Sequence, residues 1–162
     1  MENYENEFTS GDADSTGMEK VDAGSLHNGN LVMIKGHPCK VVSFSTAKTG
    51  KHGSAKAMLT GIDIFTANKY ECTYSSSDHV DAPIVKRTEY QLINIESDGF
   101  VTLMSDKGDI KEDLKLPEDE WLKDVAAKCT ELFEGGSSEC MVTVLSSLGM
   151  EKIVGAREGK NN

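Results

Sequence analysis

Residues 45–56 read STAKTGKHGSAK, and they lie between two apolar runs rich in β-formers. LVMIKGHPCKVVSF (31–44) precedes them and AMLTGIDIF (57–65) follows. Gly50 and Gly53 bracket Lys51 and His52, and glycine lets a chain reverse tightly between strands. The stretch therefore predicts a strand, a lysine-bearing loop and a return strand. Lys48, Lys51 and Lys56 crowd it, and no acid occurs between Lys40 and Asp63. A solvated hairpin tip accounts for the local pattern, and so does a loop that presents chemistry from a rigid scaffold.

Working outward, 31–34 predicts a first strand, Gly36-His37-Pro38 a turn and 39–44 a second strand. A third strand is expected over 54–65, bent at Gly61, and a fourth over 69–74. Residues 75–82 read as a polar loop. Short, closely spaced strands with tight turns argue for a small β-barrel.

Around 83–88 the composition changes. Strands are expected about Tyr90–Ile95, at 100–104 after the Asp98-Gly99 turn, and at 110–116 after Lys107-Gly108-Asp109. Residues 117–133 predict a helix, with acids in its first turn and an apolar stripe of Trp121, Val125, Cys129 and Leu132. Gly135-Gly136 ends it. Strands at 140–147 and 152–156 complete five strands with a helix between the third and fourth, the pattern of an OB-fold. The expected organisation is mainly β: a disordered acidic tail (1–22), a first barrel bearing the loop (23–86), an OB-fold domain (87–158) and a polar tail (159–162). In the tail, Tyr4 and Phe8 are expected to be solvated, and Ser10 and Ser15 sit in an acidic context that suits an acidophilic kinase.

The net charge of −10 is unevenly spread. Residues 1–23 carry −6, residues 24–90 carry +3 and residues 91–162 carry −7. The basic middle keeps phosphate contact possible in an otherwise acidic chain. No apolar run is long enough for a membrane-spanning helix, and no basic-then-apolar signal opens the chain, so a cytoplasmic protein is expected. Cys39, Cys72, Cys129 and Cys140 form no CxxC pair and are expected to be reduced.

Several chemistries fit poorly. A phosphate-binding P-loop needs Gly and Ser/Thr where Ser45 and His52 stand. His37 with Cys39, or Cys72 with His79, could be written as a nucleophile pair, but half-buried strand cysteines explain them with less. Asp78, His79 and Asp81 could be written as metal ligands, but a polar loop explains them too. Neither a catalytic residue nor a metal or other cofactor is expected.

The string TGKHG followed by Ser54-Ala55-Lys56 resembles the lysine loop of the eukaryotic translation initiation factor 5A family, which is related to bacterial elongation factor P. GIDIFTANKYE (61–71), DAPIVKRTEYQLI (81–93), EDLKLPE (112–118) and VTVLSS (142–147) also resemble landmarks of that family, in the same order. Ser54 stands where the family often has a histidine. The resemblance implies an SH3-like first barrel and an OB-fold second domain. It implies that Lys51 is converted to hypusine: deoxyhypusine synthase transfers an aminobutyl group from spermidine, and deoxyhypusine hydroxylase adds a hydroxyl. Lys48, Thr49, Gly50, His52 and Gly53 would form the loop around it, and Lys56, Lys86 and Arg87 are candidate RNA contacts. The implied function is a non-enzymatic translation factor. It would bind the ribosome beside peptidyl-tRNA and promote peptide-bond formation at stalled sequences such as proline runs, and termination. The alternative is a generic RNA-binding OB-fold protein without a modified lysine, which the acidic second half and the scarcity of aromatics disfavour.

Overall fold

The computed structural model describes residues 17–48 and 55–159. The tail expected over 1–16 lies outside the described residues, as do Thr49, Gly50, Lys51, His52, Gly53 and Ser54. The chain divides into two compact units, one up to Ile84 and one from Val85.

The first unit contains β1 (Met18–Asp22), a 3-10 turn (Ala23–Ser25), β2 (Leu31–Ile34), β3 (His37–Lys48), β4 (Ala55–Asp63), β5 (Lys69–Ser75) and β6 (His79–Pro83). Strands β2-β3-β4-β5 form one antiparallel sheet, and β1 pairs with β6. β6 also lies against β2, and the Tyr74 hydroxyl donates to the Met33 carbonyl at 3.0 Å, tying β5 to β2. These contacts roll the sheet into the expected SH3-like barrel. Alternation drives it: in β4, Ala57, Leu59, Gly61 and Asp63 are buried while their neighbours point outward. Leu59 joins Val32, Ile34, Val41 and Val80 in the core.

Two expectations are corrected here. The acidic tail was expected to reach residue 22, yet Met18–Asp22 is a strand. The polar loop expected over 75–82 contains β6. The two stabilise each other: Val21 pairs with Val80, Lys20 bridges Asp81 at 2.8 Å, and His79 Nδ1 lies 2.8 Å from an Asp22 carboxylate oxygen. Neither segment gains enough alone, because a lone strand leaves its backbone groups unsatisfied. The turn between β2 and β3 is Lys35-Gly36, so His37 and Pro38 already belong to the strand. Gly61 lies opposite a bulge in β3, between Val41 and Ser43. A Cβ there would stand 2.8 Å from Cys39 Cβ and Ile34 Cδ1, so packing as well as bending requires the glycine.

The second unit contains β7 (Lys86–Ile95), β8 (Phe100–Met104), β9 (Ile110–Lys115), α1 (Lys123–Gly135), β10 (Cys140–Ser147) and β11 (Met150–Glu158). The strand order is β11-β10-β7-β8-β9. Lys111 of β9 bridges Glu151 of β11 at 2.7 Å, which closes the barrel, and α1 packs on β7, β10 and β11. This is the expected OB-fold. Lys86 opens β7, pairing with Ser146, so the boundary precedes it instead of falling after residue 86. At the far end Gly159 is buried and its N–H donates to Glu139 at 2.7 Å, so the expected tail from 159 begins one residue later at the earliest.

The helix starts later than the periodicity suggests. Glu120–Leu122 is a 3-10 turn, with three residues per turn instead of 3.6. That tighter winding carries Leu122 into the core at 1 % exposure and leaves Trp121 at 42 %. Trp121 therefore does not extend the stripe, whereas Val125, Cys129 and Leu132 do pack into it. Gly136, at φ +67°, ends the helix with its N–H on the Leu132 carbonyl.

Candidate functional site

The site begins with the stem that carries the lysine loop. β3 and β4 pair from Cys39↔Asp63 to Lys48↔Ala55, so the six residues 49–54 connect two strand ends that are already locked in register. β5 runs along β4 as far as Ser75↔Lys56, making the stem three-stranded almost to its tip. Cross-strand rows fix which side chains face outward: Ser43–Thr60–Glu71, Ser45–Met58–Thr73 and Ala47–Lys56–Ser75. Inward, Ala57 and Leu59 reach the core.

A turn that the sequence did not single out braces the base of the loop. Ser76 N–H donates to the Ala55 carbonyl at 2.8 Å, at the residue where β4 leaves the loop. Asp78 accepts from Ser75 N–H at 3.0 Å, and its own carbonyl accepts from Ala23 N–H at 2.9 Å. Gly24 N–H donates to the Ser76 carbonyl, an approach so close that a Cβ on Gly24 would meet that oxygen at 2.8 Å. The signal was present in Ser75-Ser76-Ser77-Asp78, since serine and aspartate side chains cap local backbone groups.

The barrel is secured elsewhere by Asp63, a carboxylate only 4 % exposed. One oxygen accepts from Phe65 N–H at 2.7 Å and Thr66 N–H at 3.1 Å, and the other lies 3.3 Å from His37 Nδ1. His37 stacks on Tyr70 with 4.1 Å between ring centroids. His37 is thus engaged by Asp63 and Tyr70. Burial pushes the Cys39 thiol up to about 11 and raises that of Cys72, which keeps both in the less nucleophilic protonated form at neutral pH. Asp78, His79 and Asp81 have structural partners in the turn and in β1. Among the described residues no group of three metal-ligating side chains converges.

Of the sequence candidates, Lys56 is exposed at the base of the loop. The backbone of Lys48 ends β3 opposite Ala55. Thr49, Gly50, Lys51, His52 and Gly53 lie outside the described residues. Lys86 and Arg87 are exposed at the first two positions of β7, in the other unit. The end of the stem therefore carries Lys56 and the backbone of Lys48, while Lys86 and Arg87 lie side by side in the other unit.

Residues 17–79 match the family model described as translation initiation factor 5A-like, N-terminal. Residues 84–157 match that described as eukaryotic elongation factor 5A hypusine, DNA-binding OB fold. The chain is 45 % identical over 161 residues to eukaryotic translation initiation factor 5A-3 of Arabidopsis thaliana, covering 98 % of each. It is 43 % identical over 150 residues to eukaryotic translation initiation factor 5A of Spodoptera exigua, covering 93 % of this chain and 91 % of that one. A solved translation initiation factor 5A family protein from Naegleria fowleri superposes with a TM-score of 0.80 at 45 % identity, covering 86 % of this chain and 98 % of that one. The factor from Methanococcus jannaschii does so with 0.65 at 33 %, covering 87 % and 96 %. No helix in the described residues is long and apolar enough to cross a membrane. With the loop string, the two-barrel architecture and both halves matched in order, the chain belongs to the eukaryotic translation initiation factor 5A family.

Proposed function

We propose that this translation factor works in the cytoplasm, on the ribosome beside peptidyl-tRNA, and that hypusine formed on Lys51 is its working group. The observation that carries the reading is the braced three-stranded stem, which ends at the TGKHG string in a chain of this family. Lysine is a flexible cation that is mostly protonated at neutral pH, so it serves better as a substrate and a probe than as a nucleophile. Deoxyhypusine synthase would transfer an aminobutyl group from spermidine to Lys51, and deoxyhypusine hydroxylase would add the hydroxyl. The product is longer, carries a second amine and gains a hydroxyl that both donates and accepts. Such a group can meet phosphates and 2′-hydroxyls of an RNA acceptor end. Lys48, His52 and Lys56 would support it, with Lys86 and Arg87 as further backbone contacts.

The contribution to rate is positional. Holding peptidyl-tRNA in a reactive geometry helps the RNA catalyst most where the nascent chain is a poor substrate, as in proline runs, and it helps termination in the same way. The factor itself forms and breaks no bond. The rigid stem matters because a mobile base would forfeit the entropy that positioning is meant to save.

The test is Lys51→Arg in a reconstituted translation assay with a polyproline reporter. The charge is kept but the site of modification is lost. The expected result is loss of stimulation with unchanged thermal unfolding. Full stimulation by Lys51→Arg would overturn the reading.

A further inference from the structure

The free thiols divide equally between the units: Cys39 and Cys72 in the first, Cys129 and Cys140 in the second. Cys129 lies in α1, and Cys140 opens β10. They are 0 % and 3 % exposed and share one core cluster, where α1 packs on β10. Their side chains hydrogen-bond each other, the Cys129 thiol donating to the Cys140 sulfur. The first unit's thiols are engaged differently, Cys72 with the Tyr74 hydroxyl and Cys39 with the Ile34 backbone.

Only one member of the second pair borders a cavity. Where α1 ends, a cleft of about 280 Å³ is lined by Leu92, Leu132, Phe133, the connector 136–139 and Cys140. Cys129 does not line it. Burial raises both thiols above their ordinary 9.0. The neighbouring Cys140 and its hydrogen bond push Cys129 further, up to about 12, whereas the hydrogen bond from Cys129 and the Lys128 ammonium pull Cys140 back. Cys140 is therefore the member that ionises first, and the thiolate is the reactive form of a cysteine.

We infer that Cys140 and Cys129 form a peroxide-responsive thiol pair, in which Cys140 meets the oxidant and Cys129 closes a disulfide between α1 and β10. The Cys140 thiolate attacks one peroxide oxygen and the O–O bond breaks. The departing hydroxide takes up the thiol proton and leaves as water, and Cys140 becomes a sulfenic acid. The Cys129 sulfur then attacks the Cys140 sulfur and the S–O bond breaks. The second hydroxide takes the Cys129 proton, so two thiols and one peroxide give one disulfide and two waters. The sulfurs are already in contact, so this second step is intramolecular. The scarcity of thiolate at neutral pH makes the first step slow, and a dithiol reductant reverses the product. The inference does not depend on the reading of Lys51.

The test exposes the full chain to hydrogen peroxide, blocks the remaining thiols under denaturing conditions and maps the peptides by mass. Cleavage after Glu131, Glu134 and Glu139 separates the two cysteines, so a linked peptide pair identifies the bond. The expected result is a Cys129–Cys140 link that dithiothreitol removes and that forms faster at pH 9.0 than at neutral pH. In Cys129→Ala the sulfenic acid on Cys140 should persist and be trapped by dimedone. In Cys140→Ala the Cys129 thiol should stay free. If either alanine variant misfolds, the unmutated chain still decides. The inference fails if the folded chain gives no link, or gives one only in denaturant. It also fails if peroxide joins two chains through Cys140, or if Cys129 in well-folded Cys140→Ala is oxidised as fast as Cys140 in Cys129→Ala.

Discussion

Among the described residues, Lys35, Lys40, Lys56 and Lys69 of the first unit enter no salt bridge and Lys20 holds Asp81, whereas in the second unit Lys111, Lys123, Lys128, Lys152 and Arg157 each hold a carboxylate and Lys86, Arg87, Lys107 and Lys115 do not. The contrast separates two uses of the same residue type. In the first unit the cations surround a sheet whose outward rows are mainly small and hydroxylated, with Glu71 as the one carboxylate in the three rows nearest the loop. Their field stays available to an anionic partner. In the second unit about half of the positive charge is paired in place, and Ile93, Phe100 and Ile110 are left exposed. The whole-chain charge of −10 hides that division.

The largest expected effect tests whether the barrels act separately. Leu59 and Leu103 are both fully buried, one in each core. Leu59→Ala and Leu103→Ala should each cost about 2–5 kcal/mol of their own unit's stability, measured by chemical denaturation. Leu59→Ala should also slow conversion of Lys51 by purified deoxyhypusine synthase, and Leu103→Ala should leave it unchanged. Equal slowing by both would erase the distinction.

The next comparison uses glycine. Gly61→Ala places a Cβ 2.8 Å from two core atoms and should cost about 1–3 kcal/mol by overpacking. Gly155→Ala meets Thr143 at an ordinary 3.5 Å and should change stability by about 0.5 kcal/mol or less. Comparable losses at both positions in denaturant titrations would contradict the packing described for β3 and β4.

Alkaline pH should weaken both units through different groups. Burial pushes Cys39 up to about 11 and Tyr74 up to about 12 in the first unit, and Cys129 up to about 12 in the second. The unfolded chain gives up these protons at their ordinary values, 9.0 for the thiols and 10.0 for tyrosine. Between those values and the raised ones the folded state holds more protons, so stability falls as pH rises. Cys129→Ala should flatten the decline of the second unit between pH 9.0 and about 12 and leave the first unit's unchanged. A decline that persists in that variant would assign it to another group.

The smallest effect is expected where the barrels agree. Lys35 (φ 52°) and Leu148 (φ 54°) each precede a glycine in a two-residue turn that needs a left-handed conformation. Lys35→Asn and Leu148→Asn should each raise stability by about 1 kcal/mol or less, seen as a higher unfolding midpoint.

The central hairpin and the OB-fold order were legible because period-two alternation and glycine turns are local signals. Cys140–Ser147 announces itself through its own buried pattern, and Gly136 through the left-handed cap it supplies. β1 and β6 were not legible, because MEKVD and HVDAP are held by each other, some 60 positions apart, and β6 also by the distant β2. Trp121 misled because helical spacing assumes 3.6 residues per turn, and a 3-10 turn breaks that assumption one residue before α1. For the candidate site, glycine and lysine spacing pointed to the loop, but Lys51 as the working residue rests on family likeness. The turn 75–78 that braces the stem went unread because its value lies in backbone contacts with Ala55 and Ala23, far away in sequence.

The most direct measurement is the mass of the Lys51 peptide from protein purified from its native cell. An aminobutyl increment plus one oxygen on Lys51 is the predicted result and places both modifying enzymes upstream of function. The increment without the oxygen keeps the working group and removes the hydroxylation step. Unmodified Lys51 in native protein that still stimulates polyproline synthesis would contradict the account.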